Sequence, residues 1–98
     1  MITATRKIGQ NRGKPRLLIE GKLLVDAGLP PGTKWHIRYI GTGFVIEKDV
    51  MLGKRRVSGK PDRPVIDIAG STLGQLGEQA TVTLTYHPGS GQIRIDVE

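Results

Sequence analysis

Apolar residues alternate with polar ones in several short stretches of the chain, which is the pattern of half-buried β-strands. Apolar side chains occupy every second position of residues 35–39, and they alternate with threonine in residues 81–86. A period of two places such side chains on one face of a sheet. Other stretches are rich in valine, isoleucine or leucine and are bounded by glycine or proline. The predicted strands are residues 2–8, 16–20, 35–39, 44–46, 65–69, 81–86 and 93–97.

Between these strands the pattern predicts little helix and several turns. One short helix is predicted at residues 22–27, because its apolar side chains fall on one side and Gly28 is placed to end it. A second is predicted at residues 71–76, which begin with a capping serine. Residues 9–14 are polar and contain glycine, so we interpret them as a loop. Residues 30–32, Pro-Pro-Gly, predict a turn.

The predicted elements occur twice in the same order. Residues 15–21 superimpose on residues 64–70 without a gap, so that Gly21 falls on Gly70, an offset of 49 residues. The same offset carries Arg6-Lys7 onto Arg55-Arg56. Towards the end of each copy the offset drifts to 47 and then to 48, which indicates small changes in loop length.

Two copies predict a fused pair of units in one domain. A solenoid needs three or more repeats to bury a continuous core, and each half of this chain is too short to form a core alone. We therefore interpret residues 1–98 as a single domain built of two repeats, 1–49 and 50–98, that share a core about a pseudo-two-fold axis. The basic stretch 51–63 matches the N-terminal stretch position by position, so we expect structure there and not a linker.

The composition narrows the class of protein. Hydrophobic residues make up 37% of the chain and aromatic residues 4%, so the core is small. There is no cysteine, which excludes disulfides and thiolate metal sites. No stretch is long and apolar enough for a membrane span, and the first residues lack the apolar run of a signal peptide. We expect a cytoplasmic protein that does not contact membranes.

Positive charge is concentrated in the first two thirds of the chain. Residues 1–63 contain fourteen of the fifteen lysines and arginines but only five of the nine acidic residues. Folding does not need such an asymmetry, and a polyanionic partner explains it. The alternative is a charged surface that only keeps a small protein in solution.

The sequence contains no catalytic constellation. His36 and His87 do not align in the repeat, and the acidic residues near the C-terminus lie in the less basic half, where a nuclease centre is not expected. We expect no enzyme activity, no metal and no cofactor. Trp35 and Tyr39 are the residue types that stack on unpaired bases, but their alternation with polar residues favours a place in the core.

Residues 14–33 contain, in order, a proline, an apolar alternation, a glycine, a predicted short helix, Ala27-Gly28 and then Gly32-Thr33 before two predicted strands. This order resembles the swapped-hairpin AbrB superfamily, and its SymE-like branch most closely. Residues 44–46 stand where that family closes its hairpin. The second half keeps a thinner version of the pattern, with Leu76-Gly77 in place of the Ala-Gly step.

The resemblance implies a mainly β, double-hairpin barrel in which two interlaced units, each with one short helix, bind DNA. Two copies in one chain imply a single-chain pseudo-dimer; whether it pairs again is open. By position, the DNA-binding residues are Arg6, Lys7, Arg12, Lys14, Arg16, Lys22, Arg55, Arg56, Lys60 and Arg63. The chain has Ser71 where Lys22 would repeat, so the second half departs from the pattern after its basic stretch.

Three functions fit these observations. The first is a double-stranded DNA-binding protein, either a transcriptional regulator or a nucleoid-type binder, that holds the duplex with two basic arms lying side by side. The second is a SymE-like toxin that acts on DNA or RNA. The third is an inhibitor from a phage or mobile element that binds an acidic protein partner.

Overall fold

The computed structural model describes residues 1–11, 14–41, 43–69, 73 and 81–97 of the chain. Within these residues there are ten strands and one α-helix. In chain order they are β1 (Ile2–Lys7), β2 (Gly9–Asn11), β3 (Lys14–Glu20), α1 (Lys22–Asp26), β4 (Lys34–Ile40), β5 (Gly43–Lys48), β6 (Arg55–Arg56), β7 (Ser58–Lys60), β8 (Arg63–Ala69), β9 (Thr81–Tyr86) and β10 (Gln92–Val97).

The strands form two antiparallel sheets, which confirms the mainly β fold class. The larger sheet has the order β1-β9-β10-β5-β4-β6, and the smaller has the order β2-β3-β8-β7. The structure is not a closed barrel, in contrast to the double-hairpin barrel that the resemblance implied, because each sheet ends in two edge strands. A single residue, Ile8, separates β1 from β2, and Val57 separates β6 from β7. At these two buried residues the chain leaves the edge of one sheet for the edge of the other.

Both sheets have an internal two-fold symmetry. The corresponding strands of the two halves are β1 and β6, β9 and β4, β10 and β5, β2 and β7, and β3 and β8. When corresponding strands are exchanged, each sheet read from its other end has the same order. The registers follow the offset found in the sequence. Arg6 pairs with Val82 in β9, and Arg55, 49 residues later, pairs with Trp35 in β4. These registers make Val82 the counterpart of Trp35, an offset of 47. The closing strands β5 and β10 keep the offset of 49, not the expected 48.

Each half contributes a strand to the other half. Strand β1 of the first half pairs with β9 of the second, and β6 of the second half pairs with β4 of the first. The halves also meet at the centres of both sheets, where β3 pairs with β8 and β5 with β10. In the smaller sheet Leu18 pairs with Asp67, its own counterpart at the offset of 49, so the pseudo-two-fold axis passes between them.

The core lies between the two sheets and takes apolar side chains from both. Leu17 and Ile19 of β3 and Ile66 and Ile68 of β8 are buried on the inner face of the smaller sheet. The inner face of the larger sheet is completed by Phe44, Ile46, Val82, Leu84, Tyr86, Ile93 and Ile95. All these residues belong to one cluster, so the fold has one core shared by both halves.

The short helix α1 packs against the smaller sheet. Its Leu24 is fully buried, and Gly28 adopts a φ of 86° just after the helix, as the sequence predicts. The amides of Gly89 and Gly91, in the turn between β9 and β10, donate to the carbonyl oxygens of Asp26 and Ala27 at 2.8 and 2.7 Å. The predicted second helix lies outside the described residues, apart from the buried Leu73.

Two local predictions are wrong. Residues 9–11 of the expected loop form β2, because their pairing with β3 supplies the hydrogen bonds that their polar sequence does not suggest. Trp35 is in the core as predicted, but the side chain of Tyr39 is 65% exposed, because it lies near the end of β4.

No helix in the described part of the chain is long and apolar enough to cross a membrane.

Candidate nucleic-acid interface

Five of the ten predicted DNA-binding residues fall on two arms: Arg6, Lys7, Arg55, Arg56 and Lys60. We define the first arm as β1 and β2, residues 2–11, and the second arm as β6 and β7, residues 55–60. The arms do not lie side by side as expected, because four strands separate β1 from β6 in the larger sheet. At about 4.8 Å for each spacing between strands, the arms are at most about 24 Å apart along the sheet. The two arms therefore form opposite flanks of the molecule.

Both cations of the first arm are accessible at the sheet edge. Arg6 pairs with Val82 and shares its inward-facing side of the sheet, where Arg6 is half-buried. Its Nη1 donates to the carbonyl oxygen of Thr5 at 2.7 Å. Lys7 pairs with Thr81 on the opposite side and is exposed. The first arm thus offers one cation on each side of the edge strand.

The second arm repeats this arrangement at the other edge. Arg55 pairs with Trp35 on the inward-facing side, and Arg56 pairs with Lys34 on the other. Both arginines are exposed. The nearby Lys54 adds a further exposed cation that sequence reasoning did not select. The run of three cations at residues 54–56 is the sequence signal that could have identified Lys54.

A third group of cations gathers where the second arm turns back into β8. Lys60 pairs with Arg63 across the hairpin, and an open groove of about 560 Å³ lies beside them. Gly59, at a φ of 94°, permits this hairpin, since a Cβ there would stand 2.2 Å from the carbonyl oxygen of Arg63. The amide of Gly21 donates to Pro64 at 2.9 Å, which places the exposed Lys22 near the same hairpin.

Three arginines on the outer faces of the sheets are engaged by carboxylates. Arg16 donates to both carboxylate oxygens of Asp67, at 3.0 and 2.9 Å. This pairing raises the pKa of Arg16 above its usual value. Arg38 binds Glu47, and Arg94 binds Asp96. Of the predicted DNA-binding residues, Arg16 is thus already held by an acidic neighbour.

The remaining cations differ from these three. Arg12 and the side chain of Lys14 lie outside the described residues. None of the other lysines and arginines forms an ion pair within the described part of the chain. They are Arg6, Lys7, Lys22, Lys34, Lys48, Lys54, Arg55, Arg56, Lys60 and Arg63. The arms and the hairpin therefore carry charge that no described carboxylate neutralises.

The surroundings of Trp35 were not apparent from the sequence. The Cζ atom of Arg55 lies over the indole ring, 5.4 Å from its centroid, in a cation–π contact. Trp35 is buried, and its Nε1 donates to none of the described residues. A buried donor without a partner costs about 1–3 kcal/mol, and no hydrogen bond within the described part of the chain offsets that cost.

The turn of residues 49–53 holds the rim of this region in place. The amide of Leu52 donates to Asp49 Oδ1 at 2.9 Å, which lowers the pKa of Asp49. His36 Nδ1 lies 3.0 Å from Asp49 Oδ2, a distance that suits an ion pair although the geometry is not that of a hydrogen bond. At Gly53 a Cβ would stand 2.8 Å from the amide nitrogen of Trp35, so only glycine lets the turn pack this closely.

No group of three His, Asp or Glu side chains in the described part of the chain is arranged to hold a metal ion. The chain matches no family model, and neither the curated proteins nor the solved structures include a match.

Proposed function

We propose that the protein binds double-stranded DNA with its two arms, as a transcriptional regulator or a nucleoid-type binder. The observation that carries the proposal is the contrast between two sets of cations. Arginines on the outer faces, such as Arg38 and Arg94, are held by carboxylates, whereas Arg6, Arg55 and Arg56 of the arms meet no carboxylate among the described residues. Free cations release counterions when they meet phosphates, which favours binding to a polyanion.

The pseudo-two-fold symmetry of the arms supports a duplex as the partner. A duplex has a two-fold axis of its own, and symmetric binders meet symmetric sites. The Cα atoms of the whole protein extend over 29 × 28 × 25 Å, less than the roughly 34 Å of one helical turn. Both arms therefore fit within about one turn, which favours a short site with an approximate palindrome.

We also propose that the fold is the swapped-hairpin, AbrB-like arrangement that the sequence resembles. In support, β1 and β6 each pair with the opposite half, and the strand orders are symmetric. The two sheets joined at Ile8 and Val57 take the place of the barrel that the resemblance implied.

The test is the salt dependence of duplex binding by charge variants. The double variants Arg6→Gln with Lys7→Gln, and Arg55→Gln with Arg56→Gln, each remove two arm cations. Each should lower the slope of log K against log salt by about 2. Arg94→Gln is the control, because it changes the net charge but removes an arginine already held by Asp96. Its slope should equal that of the unmodified protein.

Fluorescence anisotropy with random duplexes at low salt measures these slopes. The proposal is wrong if no salt-sensitive duplex complex forms, or if Arg94→Gln weakens binding as much as the arm variants do. Selection from random duplexes followed by sequencing then separates the two roles. An enriched palindrome indicates a regulator, and no enrichment indicates a nucleoid-type binder.

A further inference from the structure

The two halves differ most where each arm meets the larger sheet. In the second arm Arg55 lies over Trp35, whereas in the first arm its counterpart Arg6 pairs with Val82. The ring beneath the arginine is therefore present on one flank only. Both flanks carry cations, but of the two arms only the second has an arginine whose Cζ lies over an aromatic ring.

The tyrosines near the ends of β4 and β9 differ as well. Tyr86 is buried, and its hydroxyl donates to Asp26 at 3.0 Å. Its counterpart Tyr39 is 65% exposed and donates to no described side chain. The ring of Tyr39 is accessible from solvent on the same flank as Arg55.

A groove connects these groups. It has a volume of about 340 Å³, within the range of small-molecule sites, and it is open to solvent. Its walls are Trp35, His36, Ile37, Tyr39, Leu52, Lys54 and Arg55. It therefore combines two aromatic side chains with two cations that have no carboxylate partner in the described part of the chain.

Each of these features suits one part of a nucleotide. Unpaired bases stack on exposed rings such as that of Tyr39 and on the guanidinium plane of arginine. The cation–π contact with Trp35 holds the guanidinium of Arg55 before a ligand arrives. Lys54 lies in the wall of the groove, where it can meet a phosphate. In a duplex both faces of a base are covered by its neighbours, so this groove accepts only a base that is unpaired.

We propose that the groove between Tyr39 and Arg55 is a binding site for one unpaired nucleotide of DNA or RNA. The inference rests on the proposed function, because the second arm is what brings the nucleic acid to the groove. It goes further, because it makes the two flanks unequal. The first arm binds phosphates alone, and the second binds phosphates and one base.

The experiment compares a short single-stranded DNA with an abasic strand of equal length, which has the same phosphates and no bases. Trp35 is the only tryptophan, so its fluorescence reports on this groove alone. We expect the intact strand to quench Trp35 and to bind about tenfold or more tightly than the abasic strand. The same comparison is made with RNA of the same sequence. Whichever of the two binds more tightly shows whether the nucleotide comes from DNA or from RNA.

Three variants locate the effect. Tyr39→Ala removes an exposed ring, and Arg55→Lys keeps the charge but removes the plane. Both should abolish most of the difference between intact and abasic strands, and Tyr39→Ala, which removes no charge, should leave binding of the abasic strand unchanged. Arg6→Lys, the matched change in the first arm, should leave the difference intact. Urea unfolding of each variant verifies that the fold is retained.

The outcomes separate this inference from the proposed function. Salt-sensitive duplex binding with equal affinity for intact and abasic strands overturns the nucleotide site and leaves the function standing. Base-dependent quenching without any duplex binding overturns the function and retains the site. A loss of base dependence in Arg6→Lys equal to that in Arg55→Lys also overturns the site.

Discussion

At the scale of single residues, Gly43 marks the closest approach of two backbones in the larger sheet. A Cβ at this position would stand 1.9 Å from the carbonyl oxygen of Ile95 in the neighbouring strand β10. The backbone of β10 cannot retreat easily, because it pairs on both sides. We expect Gly43→Ala to lower the free energy of unfolding by about 3 kcal/mol, measured by urea denaturation.

Gly41→Ala is the control for this substitution. No described atom lies within 4 Å of a Cβ built at Gly41, so this change should stay within about 0.5 kcal/mol. Equal losses of stability in both variants would contradict the assignment of the effect to the contact with Ile95.

Asp49 gives the turn beside Trp35 a dependence on pH. The amide of Leu52 donates to the carboxylate and lowers the pKa of Asp49 in the folded protein. A lowered folded pKa means that the ionised carboxylate stabilises the turn above the ordinary value of 3.8, and that this contribution is lost as the pH falls through the folded pKa. We expect Trp35 fluorescence to change in that acidic range while the protein is still folded.

Asp49→Asn tests this expectation, since an amide does not titrate there. The variant should lose the acidic transition of Trp35 fluorescence. A transition of unchanged midpoint and amplitude in Asp49→Asn would assign it to another group.

The sequence pattern predicted which side of the sheet a residue faces better than it predicted whether that residue is buried. The alternation in residues 35–39 identified the inner face of β4, and Trp35 is buried there. Tyr39 lies on the same side but is exposed. A period of two reports the side of the sheet on which a residue lies, whereas coverage depends on what packs above it. Sequence cannot supply that information when the covering element is distant in the chain.

At the scale of elements, α1 depends on its hydrogen bonds to β9 and to the turn that follows β9. A helix of five residues is not stable alone, because nucleation costs more than so few hydrogen bonds return. The hydroxyl of Tyr86 joins Asp26 to β9 at 3.0 Å. We expect Tyr86→Phe to lower the free energy of unfolding by about 1 kcal/mol and to speed amide exchange in α1.

The repeat supplies the matched control for this prediction. Tyr39→Phe changes the counterpart tyrosine, which is exposed and makes no described hydrogen bond, and should leave stability unchanged. If amide exchange in α1 were the same in Tyr86→Phe as in the unmodified protein, the hydrogen bond to Asp26 would not be what holds the helix.

The elements themselves were largely predictable, and the partners of the arms were not. The offset of 49 anticipated that residues 55–60 are structured, and they form β6 and β7. Strand β2 was missed because Gly9 to Asn11 have no apolar alternation, so only pairing makes them a strand. The pairing of β1 with β9, which separates the arms, is a long-range contact that the sequence repeat alone does not determine.

At the scale of the whole molecule, the exchange of β1 and β6 makes the halves interdependent. A polypeptide of residues 1–50 lacks the strand that borders β4, and one of residues 51–98 lacks the strand that borders β9. Each also loses half of the shared core. We expect both fragments to be unfolded alone and to fold together as a one-to-one complex.

Circular dichroism and Trp35 fluorescence of mixed fragments measure this assembly. The midpoint of unfolding should rise with fragment concentration, whereas that of the intact chain should not. A fragment that folds as a monomer would show that the halves are independent and that strand exchange is not required.

The pairing of Leu18 with Asp67 on the pseudo-two-fold axis affects whether the second half pairs with the first half or with another second half. Two copies of the second half, meeting in the same way, would bring two Asp67 carboxylates face to face without Arg16 to neutralise them. Like charges in such a position repel, so second halves from neighbouring chains are poor substitutes for the first half. This pairing thus disfavours dimers formed from two second halves and favours the pairing of unlike halves.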